Sequence, residues 1–119
     1  LAYSLSPIGA PLGSFTAEDT NCNATPNNNV RSGATTLYNI LVDNSLNAAV
    51  TYLQIFNNVG PTVGTTQADM TIMVPAGYVL PIPLPQGVAF GTGLSFCATT
   101  TPHGNTNPAS ACKVYLTVS

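Results

Sequence analysis

The chain has 119 residues, of which only 5% are charged, where about 25% is usual for a soluble domain, and its formal net charge is −2. Arg31 and Lys113 are its only basic residues besides one histidine. That is too few to neutralise a run of phosphates or to build a polybasic patch, which excludes nucleic acid and the membrane surface as partners. Hydrophobic residues make up 45%, so the chain can bury a core, and no apolar run approaches the roughly 18 residues of a transmembrane helix.

Residues 1–15 carry Tyr3, Leu5, Ile8, Leu12 and Phe15, broken by Pro7 and Pro11. They read as one or two short strands or as an extended arm. Residues 21–29 are Asn-rich and of low complexity, which predicts a surface excursion. The expected organisation is an N-terminal arm or strand with its Asn-rich loop over 1–33 and a β-sandwich core over 34–119. Residues 36–42 form the clearest strand, with Tyr38, Ile40 and Val42 on one face and Leu37, Asn39 and Leu41 on the other. Asp43-Asn44-Ser45 follows as turn chemistry. The next strand is 50–56, with Val50, Tyr52 and Phe56 opposite Leu53 and Ile55.

Met70, Ile72 and Val74 alternate up to Pro75-Ala76-Gly77, which reads as a tight turn. Tyr78, Leu80, Ile82 and Leu84 then alternate with Val79, Pro81, Pro83 and Pro85. Proline supplies no N–H to a ladder, so this segment belongs at a sheet edge. Strands over 88–90, 94–100 and 113–118 complete the series, the last with Val114, Leu116 and Val118 inward. Helix formers are scarce, while Gly and Pro number 10 each and are dispersed. The expectation is an all-β chain, a single antiparallel β-sandwich of jelly-roll or immunoglobulin-like type with an extended N-terminal arm.

Few residues carry chemistry. Glu18-Asp19 could offer oxygens to calcium, but no spaced acidic loop accompanies them, and solvated loop acids are the plainer reading. Asp43 and Asp69 stand at strand boundaries, where Asp serves turns. His103 is the sole histidine and lies in a turn-forming stretch, with no serine elbow anywhere in the chain. Asn23-Ala24-Thr25 fits a glycosylation sequon, a match that chance readily gives in so Asn- and Thr-rich a chain. No metal-ligand spacing and no phosphate loop occur, so the chain is expected to use no cofactor and not to be an enzyme. Cys97 and Cys112 flank the 100–111 loop. If their strands form a hairpin they can form a disulfide; otherwise they are two separately buried thiols. Cys22 is left over, free or bonded between chains.

From Leu37 onward a series of short features occurs in order. They are Leu37-Tyr38-Asn39-Ile40-Leu41-Val42-Asp43-Asn44, Tyr52-Leu53-Gln54-Ile55-Phe56, Val63-Gly64-Thr65-Thr66, Val74-Pro75-Ala76-Gly77, Gly87-Val88-Ala89-Phe90-Gly91-Thr92-Gly93-Leu94-Ser95 and Thr99-Thr100-Thr101. In these the chain resembles small virion proteins of tailed bacteriophages. The resemblance does not reach the Asn-rich segment before Val30 or the cysteines. It implies a structural role, as a capsid cement or decoration protein or a tail component, and it brings no catalytic residues.

The leading expectation is therefore a cement or decoration subunit on the capsid surface of a virion. Its partners would be the major capsid protein, other virion subunits and further copies of itself, a trimer suiting a site on a shell. Tyr3, Leu5, Ile8, Leu12 and Phe15 would be apolar anchors for inter-subunit contacts, and Tyr78, Leu80, Ile82 and Leu84 a contact strip. The competing reading puts the same side chains in the core. A second expectation is a receptor- or glycan-binding module, a tail-fibre tip or a subunit of an extracellular appendage. It requires residues 21–29 and 101–107 to form one exposed surface.

Overall fold

The structure, a computed structural model, describes residues 3–7 and 14–119. It is all-β, with two packed antiparallel sheets. Eight strands follow in chain order: β1 (Ser4–Pro7), β2 (Phe15–Cys22), β3 (Thr35–Asp43), β4 (Thr51–Asn57), β5 (Met70–Val74), β6 (Val79–Phe90), β7 (Leu94–Thr99) and β8 (Cys112–Val118). One sheet has the order β1-β2-β8-β3-β6 and the other β5-β4-β7. Leu37, Ile40, Val42, Val114, Leu116 and Val118 of the larger sheet meet Leu53, Ile55, Leu94, Phe96 and Ala98 of the smaller. This is the burial that drives the two sheets together.

The faces of β3 differ from simple alternation. Leu37, Ile40 and Val42 are buried, and Tyr38 is not. The ladder shifts between Leu37 and Asn39 against both neighbours, and against β8, where Val118 and Thr117 are consecutive, Tyr38 is an extra residue in the strand. Such a bulge moves every residue before it to the opposite face. On the β6 side residues 84–87 loop out opposite Tyr38, and Gly87 sits there at φ +76°. A Cβ at Gly87 would come within 2.5 Å of the Thr36 methyl and 2.9 Å of the Tyr38 ring.

β6 is an edge strand, as its prolines require. The Asn44 N–H donates to the Tyr78 carbonyl at 2.8 Å, and the same register pairs Leu80 with Val42 and Ile82 with Ile40. Pro81 and Pro83 occupy the alternate positions, so the N–H groups they lack would have pointed out from the free edge. That edge presents acceptors but no donors at those two positions, which hinders pairing with another strand. β5, the edge of the smaller sheet, contains no proline and no charge.

The N-terminal strands β1 and β2 are part of the larger sheet rather than an arm extending from a separate core. β1 pairs with β2, and β2 pairs with β8. Residues 23–30 do not form a free excursion either. They run along β7, with N–H donation from Asn27 to Phe96 (2.9 Å), Phe96 to Asn27 (3.1 Å), Ala98 to Asn23 (2.9 Å) and Val30 to Leu94 (2.9 Å). Asn27 is buried, and its Nδ2 donates to Asp19 Oδ2 at 2.8 Å.

Candidate interaction surface

Two turns at one end of the sandwich are locked together by buried asparagines. After β3, the Asp43 carboxylate accepts the Ser45 N–H at 2.9 Å, the Asx turn that the sequence announces. These hydrogen bonds with Ser45 hold the Asp43 carboxyl below its ordinary range, and Lys113, opposite it in the β3–β8 register, lowers it further. After β5, Pro75-Ala76-Gly77 turns with Gly77 at φ +74° and the Tyr78 N–H donating to Pro75 at 3.2 Å. Asn44, fully buried, joins the two turns. Its Nδ2 donates to the Val74 carbonyl at 3.2 Å and to the Pro75 carbonyl at 3.1 Å. Its Oδ1 accepts from Asn47 Nδ2 at 2.8 Å and from the Thr51 hydroxyl at 2.9 Å. Asn47 in turn pairs with the Ser110 backbone through both ends of its amide, each at 2.8 Å.

Around these turns several apolar side chains are exposed: Leu46 (70% exposed) and Tyr78 (58%) in the turns themselves, Val79 (52%) on the outer face of the larger sheet and Met73 (56%) on the outer face of the smaller. Among the described residues only Tyr3 and Val59 are comparably exposed large apolar groups elsewhere. A fixed backbone carrying uncharged apolar groups loses little entropy when another surface covers it. The only charges that border it are Asp43 and Lys113, of opposite sign. Sequence patterning placed Tyr78 here but missed Leu46 and Met73, because each lies beside a turn whose exposure depends on how the two turns dock.

The other residues singled out by sequence separate into distinct places. Leu80, Ile82 and Leu84 point inward and pack against the core, so only Tyr78 of that expected strip is exposed. Leu5 and Phe15 also pack on the core, and Arg31 lies 4.0 Å over the Phe15 ring. The Tyr3 hydroxyl donates to the Val30 carbonyl at 3.4 Å. Ile8 and Leu12 lie outside the described residues. Cys97 and Cys112 are free thiols on different sheets. They do not face each other, because the 100–111 loop crosses between the sheets instead of closing a hairpin. Burial pushes the Cys97 thiol up to about 12.

No acid–base constellation assembles from the expected acids. Asp69 accepts the Asn57 N–H at 2.6 Å at the far end of β4, whereas the Asp43 turn adjoins the start of that strand. Glu18 and Asp19 are neighbours on β2 and so face opposite ways, Asp19 fully buried. Among the described residues no group of acids, His and Cys is arranged to hold a metal ion. His103 is exposed in its turn. The two polar loops do meet, since the Ala24 N–H donates to Asn107 Oδ1 at 3.0 Å. Comparison with family models, with curated proteins and with solved structures finds no match to this chain.

Proposed function

We propose that the chain is a structural subunit of a bacteriophage virion, a cement or decoration protein that stabilises a shell by subunit–subunit contact, and that its sandwich is wound as a jelly roll. The winding is supported by the order β2-β8-β3-β6 in one layer. In the other, β5-β4-β7 is extended by residues 23–30 beside β7. Jelly rolls serve both capsids and lectins, so winding alone does not choose between them. The observation that carries the choice is the exposure of uncharged apolar side chains at and beside the two docked turns, Leu46 and Tyr78 foremost, with Val79 and Met73 on the flanking sheet faces. It suits permanent burial against another protein better than it suits a sugar, whose hydroxyls need polar partners. The low charge of the chain agrees, since little hydration is lost when such a surface is covered.

The test is co-sedimentation of purified chain with expanded capsids of the phage that encodes it. Saturable, stoichiometric binding and greater heat resistance of the shells are expected. The double variant Leu46→Ser, Tyr78→Ser should lose both while its circular dichroism stays unchanged. Absence of binding by the wild-type chain overturns the reading. The glycan-binding alternative draws on the Ala24–Asn107 hydrogen bond, which brings the two polar loops into contact. It predicts competable hits on a glycan array that the Leu46, Tyr78 variant retains.

A further inference from the structure

Cys22 ends β2 and Cys112 begins β8, and the register of these strands sets the two directly opposite one another. Asp19 and Cys22 are three residues apart and would face opposite ways in a regular strand. The ladder shifts between them, and both are fully buried. The shift thus turns Cys22 toward the core, where it joins the same cluster as Cys112. Directly opposed residues of an antiparallel pair hold their Cβ atoms about 4.5–5.5 Å apart. A disulfide spans about 3.5–4.5 Å between Cβ atoms, a difference that small side-chain and backbone adjustments cover. Cys97 has Gln54 as its register partner on the other sheet and lies outside that core cluster.

We propose that Cys22 and Cys112 are the site of a cross-strand disulfide that joins β2, near the start of the chain, to β8, near its end, and leaves Cys97 as a free thiol. In the reduced state the Cys112 thiol donates to Asn44 Oδ1 at 3.3 Å. Losing that weak bond leaves Asn44 Oδ1 with its two stronger donors, Asn47 and Thr51. Oxidation therefore orphans no buried acceptor. Burial raises both thiols above their ordinary range, so the folded protein exposes little thiolate. The bond forms while β2 and β8 are still apart.

With glutathione disulfide as oxidant, one cysteine thiolate attacks a glutathione sulfur, breaks its S–S bond and releases one glutathione thiolate. The second cysteine thiolate then attacks the protein sulfur of the mixed disulfide and releases the other glutathione. The protein loses two thiol protons and two electrons, and two molecules of reduced glutathione result. The bond closes a loop from residue 22 to residue 112, about three quarters of the chain, and a cross-link restricts the unfolded state more the longer the loop it closes.

The experiment is refolding of the full chain with reduced and oxidised glutathione, followed by thiol counting in denaturant and peptide mapping without reductant. The wild type should keep one free thiol, on Cys97, and yield a Cys22–Cys112 linked peptide pair. Cys97→Ala should give the same linked pair and no free thiol. Reduction should lower the Tm of the oxidised protein by roughly 10 °C. Cys22→Ala and Cys112→Ala should each make the Tm insensitive to reductant. A linked pair that includes Cys97, or two free thiols in refolded Cys97→Ala, overturns the proposal.

Discussion

β7 and β8 are strands of similar length, yet every side chain of β7 is buried, whereas β8 alternates between buried and accessible positions. β8 lies in the middle of the larger sheet, which packs one face on the core and leaves the other to solvent. Its accessible face continues across Leu41 of β3 to Pro81 of β6. β7 lies in the smaller sheet and is covered on both sides, whereas Thr71 and Met73 leave the outer face of that sheet open at β5. Leu94, Phe96 and Ala98 face the core, while Ser95, Cys97 and Thr99 face away from it and are buried all the same. Loop segments cover that second face. The Ser95 hydroxyl donates to Asn58, Gln54 Nε2 donates to Thr99 Oγ1 at 2.7 Å and to the Gly104 carbonyl at 3.1 Å, and the Thr99 hydroxyl donates to Thr101 at 2.8 Å. At β7 and the facing half of β4 the small sheet thus gains a second, partly polar core from its own loops, and the large sheet keeps a free face.

The difference can be broken most directly at Phe56. This residue is fully buried yet lies outside the main core cluster, opposite Ser95 on the loop-covered face. Phe56→Ala should cost about 3–5 kcal/mol, the usual range for a large aromatic lost from a packed interior. Leu41→Ala, on the open face of the larger sheet, should cost less than about 1 kcal/mol. Urea unfolding of both variants decides the matter. Equal costs would mean that the loops do not form a packed layer.

The free edge of the larger sheet offers the next contrast. Gly87 and Gly77 both adopt positive φ, at +76° and +74°. A Cβ at Gly77 would meet nothing within 4 Å, whereas one at Gly87 would collide with Thr36 and Tyr38. Gly77→Ala should lose about 1 kcal/mol from backbone strain alone. Gly87→Ala should lose about 2–3 kcal/mol, because the outlooped turn must also shift. If the two lose the same amount by thermal unfolding, the close approach at Tyr38 contributes nothing.

The alternating strands were legible where a strand has one wet face. Val114, Leu116 and Val118 are buried as the pattern indicates, and the prolines of β6 correctly mark an edge. Sequence failed where burial comes from outside the strand. Nothing local announces that a loop residue such as Gly104 will cover Gln54. The bulge at Tyr38 was equally hidden, because Leu37 and Tyr38 are both plausible core residues and only pairing with β6 and β8 decides between them. The apolar end was half legible. Asp43-Asn44-Ser45 and Pro75-Ala76-Gly77 can be read as turns, but the buried amide of Asn44 that docks one on the other is a contact between residues 30 apart or more.

The smallest expected effect concerns the charged pair at the margin of that end. The Asp43 carboxyl is held below its ordinary range by its Ser45 hydrogen bonds and by Lys113. A lowered folded pKa means that the ionised form favours folding. That contribution is fully present above the unfolded pKa of about 3.9 and is lost as pH falls through the lower folded value. Asp43→Asn should therefore leave the urea midpoint little changed under strongly acidic conditions and lower it slightly near neutrality. The difference from wild type should grow as pH rises through about 4 and then level off. The group is exposed and the effect is correspondingly modest. A variant whose deficit is instead constant with pH would assign the role of Asp43 to turn geometry alone. The two turns would then be fixed by Asn44 without help from charge.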